Sequence, residues 1–225
     1  MGKIEKIFKG QFIQDPKTLR EKLTRIQAYL FDWDGVFNDG HKNDSGSSTF
    51  SEVDSMGTNL LRFNHYLSVD QNPLTAIISG EQNKSASYFA EREHFHAVYT
   101  TRNKNEALLH FLKWNQLQPE QVAFFFDDVL DLSIAAQCGL RIMVRHEGSP
   151  MTLRYAIKNK LADYYSYAQG GNHAVREGTE LLMSLSAGFE LSLEHRIRYS
   201  PEYRTYLEQR NSVTLQFFSE KDLLP

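Results

Sequence analysis

The sequence is poor in cysteine and has no long apolar run, and each absence excludes a class of protein. Cys138 is the only cysteine among 225 residues. A single cysteine cannot form an internal disulfide, which excludes the disulfide-stabilised secreted domains and suits a reducing cytosol. No segment approaches the roughly 20 apolar residues of a membrane-spanning helix, and residues 1–6 lack the apolar core of a signal peptide. We therefore expect a cytoplasmic protein.

An excess of charge of either sign is also absent. The chain has 25 basic and 28 acidic residues, which gives a net charge of -3. This balance gives no reason to expect a nucleic acid or a membrane surface as a partner. With 41% hydrophobic residues, the chain is long enough to bury one sizeable core, alone or with appendages.

The most informative stretch is residues 29–36, where an apolar run leads into Asp32, Trp33 and Asp34 before a glycine. A short apolar run that ends at glycine predicts a buried strand. Strand alternation would place both aspartates on one side and Trp33 on the other. Two buried carboxylates need a partner, and Mg²⁺ prefers oxygen ligands. Taken alone, however, the two aspartates also fit an acidic turn after a core strand.

Strands alternate with helices through most of the chain, which predicts a parallel sheet with helices on both faces. The apolar strands at 74–78 and 122–126 run directly into Ser79 and Asp127. In such folds ligands bind at the carboxyl ends of the strands. We therefore expect Asp32, Ser79 and Asp127 to meet at one edge of the sheet.

Residues 37–53 read as two short strands joined by a flexible polar turn, although a plain surface loop is the alternative. A helix is predicted to follow at about 57–67, and another at 130–138. Near the end, Ser200 and Pro201 resemble a helix start. The apolar tail at 213–218 is expected to pack on the domain or on another subunit.

Four motifs in this order resemble those of the haloacid dehalogenase superfamily of phosphotransferases. They begin at Asp32, Ser79, Lys104 and Asp127, with Asp131 further on. The resemblance implies a three-layer Rossmann-like fold, and a Mg²⁺-dependent phosphatase that forms an aspartyl-phosphate.

The resemblance also implies a role for each motif residue. Asp32 would be the nucleophile and Asp34 the general acid and base. Asp32, the backbone carbonyl of Asp34 and Asp127 would hold Mg²⁺. The remaining roles fall to residues that bind phosphate or orient the site: Ser79 and Gly80 at the phosphate, Lys104 at the phosphate and the carboxylates, and Asp128 at a metal-bound water.

A narrower resemblance, over about residues 28–187, is to the 3-deoxy-D-manno-octulosonate 8-phosphate (KDO 8-phosphate) phosphatases. It rests on residues 34–40, 50–57, 102–104 and 170–177, besides the fourth motif. It implies a sugar-acid phosphate substrate, a role in lipopolysaccharide biosynthesis, no large cap domain and a homotetramer. In that tetramer the hairpin at 37–53 and the segment at 170–177 would approach a neighbouring active site.

The resemblance divides the chain into an N-terminal extension at 1–27, a phosphatase domain at 28–189 and a helical extension at 190–225. The chain departs from the family at Val53 and Glu81, where the family has arginine, and at Phe126, where it has glycine. Two alternatives therefore stay open. One is a phosphatase for a nine-carbon, sialic-acid-type sugar phosphate or a neutral one. The other is a catalytically quiet oligomerisation module.

Overall fold

A computed structural model describes residues 3–223, which form one eight-stranded sheet with helices on both faces. The strands are β1 (Gln11–Phe12), β2 (Ala28–Phe31), β3 (Leu74–Ser79), β4 (Ala97–Thr100), β5 (Val122–Phe126), β6 (Leu140–Arg145), β7 (Tyr164–Gln169) and β8 (Gln216–Ser219). The helices are α1 (Lys3–Ile7), α2 (Pro16–Leu23), α3 (Glu52–Val69), α4 (Lys84–Arg92), α5 (Lys104–Asn115), α6 (Leu132–Ala135), α7 (Pro150–Lys158), α8 (Ala174–Leu185), α9 (Phe189–Arg198), α10 (Pro201–Asn211) and α11 (Glu220–Leu223).

The sheet has the strand order β1-β7-β6-β5-β2-β3-β4-β8, and β1 is the one antiparallel strand in the described chain. This confirms the predicted α/β fold with a mostly parallel sheet. The central strands β2 and β5 are buried along their whole length, because helices cover both faces of a parallel sheet. Between Asp34 and Ser79 the chain contains a loop and α3, so a large cap domain has no place there.

Alternate residues of β2 belong to two separate apolar clusters, one on each face of the sheet. Tyr29 and Phe31 lie in one cluster, and Ala28 and Leu30 lie in the other. Trp33 continues the first cluster and stacks on Phe37, with ring centroids 4.9 Å apart. The period-two pattern that predicted the strand is therefore the pattern that builds both core layers.

The predicted hairpin is wrong in the described chain, since residues 37–51 form turns and a loop without strands. An isolated two-stranded hairpin is marginal in water, and residues 39–45 are exposed. The loop satisfies its own backbone instead: the Asn43 and Gly46 amides donate to the Ser47 and Asn43 carbonyls, both at 2.9 Å. The second predicted strand becomes the start of α3, because the Ser51 hydroxyl caps that helix.

The helix expected at 130–138 is also shorter than predicted. A 3₁₀ turn at Val129–Asp131 leads into α6, which ends before Cys138. At the start of α2, Asp15 is the N-cap and Pro16 stands in the first turn. Among the described residues, no helix is both long and apolar enough to cross a bilayer.

Both terminal segments add strands to the sheet. In the N-terminal segment, β1 pairs with β7, and in the C-terminal segment, β8 pairs in parallel with β4. The apolar tail packs on its own domain through Phe218, which stacks on Tyr99 with centroids 4.9 Å apart. The two segments therefore form the two edges of the central sheet.

Candidate active site

The carboxyl ends of β2, β3 and β5 surround a cavity of about 310 Å³. Every residue that the motifs singled out lines this cavity: Asp32, Asp34, Ser79, Gly80, Lys104, Asp127 and Asp128. The parallel topology brings them together, because each ends or follows a strand at this edge or, for Lys104, begins the helix after β4. Asp131, which the fourth motif includes without an assigned role, also lines the cavity, and so do Lys42 and His146, which were not predicted.

At the centre of the cavity, Lys104 joins two buried carboxylates. Its Nζ lies 2.6 Å from Asp32 Oδ1 and 2.6 Å from Asp131 Oδ1. Burial alone would lower the pKa of Lys104, but the charges of Asp32 and Asp131 outweigh it and raise that pKa. Lys104 is therefore fully charged at neutral pH. It neutralises part of an acidic cluster instead of projecting into solvent.

Three carboxylates at this position form a set that could hold a metal ion. Asp32, Asp127 and Asp131 each contribute an oxygen, and the three oxygens lie within 4.8 Å of one another. Burial, followed by the charges of its acidic neighbours, raises the pKa of Asp127 to about 9. The same causes raise the pKa of Asp131 to about 7, although Lys104 opposes them.

The donor set fits Mg²⁺. Asp127 Oδ1 is buried and has no hydrogen-bond partner among the described residues, which is costly for a carboxylate unless a cation occupies the site. Mg²⁺ is bound in proteins through one or two carboxylates together with water and substrate phosphates. A divalent cation would also remove the repulsion that raises the pKa values of Asp127 and Asp131.

Asp34 lines the same cavity as Asp32, although both residues lie beyond the end of β2, and its carboxylate has different partners. Lys42 Nζ lies 2.9 Å from Asp34 Oδ2. The Ser48 hydroxyl and the Asn83 amide donate to Asp34 Oδ1 at 3.2 and 3.3 Å. These three contacts fix the direction of the Asp34 carboxylate at the cavity wall. It lies outside the cluster of Asp32, Asp127 and Asp131.

Ser48 is a buried hydrogen-bonding centre behind Asp34. Its hydroxyl oxygen accepts hydrogen bonds from the Trp33 indole at 2.8 Å, the Asn83 amide at 2.9 Å and the Asn38 amide at 3.2 Å. The loop after β2 thus returns to the strand end through Ser48. Consequently the polar loop residues that looked like a flexible turn hold Asp34 in place.

Glycine 35 permits the close approach of the first and fourth motifs. Its φ is +86°, a left-handed conformation, and an added Cβ would lie 2.5 Å from Asp127 Cγ. From the other side, a Cβ on Gly170 would overlap the Gly35 and Asn38 carbonyls. The glycine turn at 170–171 therefore packs against the loop that follows β2 in its own chain.

Ser79 and Asp128 line the cavity, but the side chain of each contacts the backbone of a residue that follows it within three positions. The buried Ser79 hydroxyl donates to the Glu81 carbonyl at 2.8 Å, so a phosphate oxygen would have to replace that acceptor. Asp128 is exposed at the cavity mouth, and its side chain caps the 3₁₀ turn that follows. Its backbone amide donates to Asp131 Oδ2 at 3.4 Å.

The three family departures have separate structural settings. Phe126 is buried and stacks on Phe124, with ring centroids 5.4 Å apart, so its side chain lies in the core and outside the cavity lining. Glu81 lines the cavity and pairs with Arg102, with Nη2 2.5 Å from Oε1. Val53 is exposed in the first turn of α3.

No protein-family model matches the chain. A KDO 8-phosphate phosphatase of Yersinia pestis is 28% identical over 168 residues, which are 72% of this chain and 82% of the relative. A haloacid dehalogenase superfamily hydrolase, subfamily III A, from Legionella pneumophila has a TM-score of 0.67 and 28% identity, covering 81% of this chain and 95% of that one.

A Moraxella catarrhalis KDO 8-phosphate phosphatase shares the fold, with a TM-score of 0.64 and 24% identity, covering 79% of this chain and 97% of that one. That structure is a complex with magnesium, phosphate and KDO.

Proposed function

Because the chain belongs to the haloacid dehalogenase superfamily, in its family of KDO 8-phosphate phosphatase-like proteins, we propose that it is a Mg²⁺-dependent phosphomonoesterase. Its substrate is a small phosphorylated sugar acid such as KDO 8-phosphate. One observation carries the proposal: Asp32, Asp127 and Asp131 converge beside a buried lysine, and Asp127 keeps an oxygen without a partner.

In the first half of the reaction, Asp32 attacks phosphorus and the bond from phosphorus to the ester oxygen breaks. Asp34 gives a proton to the departing alkoxide, which leaves as the sugar alcohol. Lys104 holds Asp32 Oδ1 and, with the Ser79 hydroxyl, contacts the phosphate oxygens as negative charge moves towards the leaving group.

In the second half, Asp34 takes a proton from water, which attacks the aspartyl-phosphate and releases inorganic phosphate. Lys42, Ser48 and Asn83 orient Asp34 for both steps, and this explains why a general acid at the cavity wall has so many contacts. Asp32, Asp127 and the Asp34 carbonyl would hold Mg²⁺, with Asp131 beside them. The ion supplies positive charge that lowers the repulsion between the carboxylates and the phosphate.

The test is phosphate release from p-nitrophenyl phosphate and from KDO 8-phosphate, with Mg²⁺ or EDTA. We expect activity that EDTA removes, and loss of at least about three orders of magnitude in Asp32→Asn. Asp44→Asn is the matched control, because Asp44 is exposed in the loop after β2. Wild-type hydrolysis by Asp32→Asn would contradict the mechanism. A folded protein with no Mg²⁺-dependent hydrolysis would favour the oligomerisation module.

The preference for a sugar acid over a nine-carbon or neutral sugar phosphate rests on similarity to the relatives. A panel of the three substrate types decides it through their kcat/KM values. The homotetramer, with residues 37–53 and 170–177 beside a neighbouring site, and the cytoplasmic location also remain predictions. Light scattering on the purified protein and fractionation of cells test these two.

A further inference from the structure

A second cavity, of about 630 Å³, lies beside the active site. We call it the flanking cavity; Lys9, Gly10, Arg145, Glu147 and Tyr165 are among its lining residues. His146 lines both this cavity and the active-site cavity, so the two are adjacent. The flanking cavity lies at the carboxyl end of β6, where Arg145 and His146 face Tyr165 and Ser166 in the first half of β7.

The direction of β1 explains why the N-terminal segment reaches this edge. Because β1 is antiparallel to β7, the residues before β1 lie beside the carboxyl end of β7. Gly10 holds the N-terminal segment close against β7. Its amide donates to the Tyr164 hydroxyl at 3.1 Å, and a Cβ at this position would lie 2.6 Å from the Tyr165 carbonyl oxygen. Lys9 is thereby held at the rim, with Nζ 5.3 Å from the centre of the Tyr167 ring.

The two cavities differ in charge. Six carboxylates and two lysines line the active-site cavity, so another anionic group is repelled there once Mg²⁺ and phosphate are in place. The flanking cavity has Lys9 and Arg145 against Glu147. Arg145 already pairs with Glu147 at 3.3 Å, whereas Lys9 lies over the Tyr167 ring and forms no salt bridge among the described residues. Lys9 is therefore the cation available to an anionic group.

We propose that the flanking cavity binds the carboxylate end of the sugar-acid substrate, with Lys9 as the specificity-determining cation. This inference rests on the proposed function, since the phosphate must lie at Asp32. The spacing is suitable: β5 and β7 are two strands apart, roughly 10 Å, which a small sugar acid spans. Lys9 supplies its cation from the β1 side of the sheet.

The experiment compares Lys9→Met with wild type on two substrates, KDO 8-phosphate and p-nitrophenyl phosphate. The second has no carboxylate and measures the chemistry alone. We expect KM for KDO 8-phosphate to rise about three- to tenfold, as for one solvent-accessible ion pair, with kcat unchanged. Both constants for p-nitrophenyl phosphate should stay the same. Lys9→Arg should restore KM, and Lys6→Met is the matched control because Lys6 is exposed in α1 outside the cavity.

The two substrates separate the failure of this inference from the failure of the proposed function. Equal effects on both substrates, or no effect on either, would overturn the role of Lys9 while leaving the phosphatase intact. If wild type hydrolyses neither substrate, the proposed function fails. Calorimetry with unphosphorylated KDO then tests the cavity directly. Weaker binding in Lys9→Met than in Lys6→Met supports the site, and equal or absent binding refutes it.

Discussion

Replacing Gly35 by alanine should displace the Asp127 carboxylate and weaken the metal site, although no charged residue is replaced. The added Cβ would lie 2.5 Å from Asp127 Cγ and 2.9 Å from Oδ1, whereas ordinary contact begins near 3.4 Å. The carboxylate must therefore retreat by about 1 Å. Asp127 Oδ1 has no hydrogen bond that resists this movement, so the retreat is the cheapest response.

A second variant, at Gly46, separates the displacement of Asp127 from the backbone strain that alanine also introduces. At a φ of +86°, alanine at position 35 also suffers backbone strain of about 1–2 kcal/mol. Gly46 has a φ of +73° in the same loop, and nothing lies within 4 Å of an added Cβ there. Gly46→Ala therefore carries the strain without the displacement, and it is the matched control.

We expect kcat/KM of Gly35→Ala to fall about 100-fold, because a 1 Å misplacement at a reacting centre commonly costs that much. The Mg²⁺ concentration at half-maximal activity should rise about tenfold or more. Gly46→Ala should lose about 1–2 kcal/mol of unfolding free energy in urea and keep the wild-type Mg²⁺ response. A normal Mg²⁺ response in Gly35→Ala, or the same defect in both variants, would refute the placement of Asp127 against this turn.

Three further predictions concern the groups around the site. Ser48→Ala should cost about 1–3 kcal/mol in urea unfolding and lower kcat, because it leaves the Trp33 indole unpaired and loosens Asp34; exposed Ser45→Ala is its control and should do neither. Lys104→Met should cost about 3–5 kcal/mol, since two buried carboxylates lose their cation, and Mg²⁺ should restore part of the melting temperature but not the activity. Burial raises the pKa of Asp54 to about 6, so between about pH 4 and 6 the folded chain keeps a proton that the unfolded chain releases. Wild-type stability should therefore fall as pH rises through that window by at most about 3 kcal/mol relative to Asp54→Asn, which cannot titrate; equal slopes for the two proteins would contradict this assignment.

The residues that could be predicted are those that follow a strand or begin a helix at one edge. Asp32, Ser79 and Asp127 each come after an apolar run, and a parallel sheet brings such positions together. No knowledge of contacts is needed for that step. The fold class and the convergence of these three side chains were accessible for the same reason.

The supporting contacts of the site could not be predicted because the two partners of each contact are distant along the chain. Ser48 meets Asn83 across 35 residues, and Lys104 meets Asp131 across 27. Asp131 did carry a signal, since it lies three residues after Asp128 and one turn brings such positions together. Lys42 carried none, because it is one polar residue in a tract of polar residues.

The hairpin was mispredicted because composition does not distinguish an exposed strand pair from a loop that bonds to itself. Thr49 to Val53 has the β-branched and aromatic residues of a strand. However, the Ser51 hydroxyl accepts from the Val53 amide at 3.0 Å and starts a helix there. A local side-chain cap therefore outweighed the strand propensity of its neighbours.

The two edge strands explain how opposite ends of the chain reach the same catalytic edge. An antiparallel edge strand presents the residue before it, which is why β1 delivers Lys9 beside β7. A parallel edge strand presents the residue after it, and β8 accordingly delivers Glu220, whose carboxylate accepts from the Arg102 amide at 3.1 Å. Arg102 also pairs with Glu81. On the β8 side of Asp32, the Arg102 cation is therefore already paired, whereas on the β1 side Lys9 is available. In the proposed substrate complex, these charges would favour one orientation of the sugar acid, with its carboxylate towards β1 and its phosphate at Asp32.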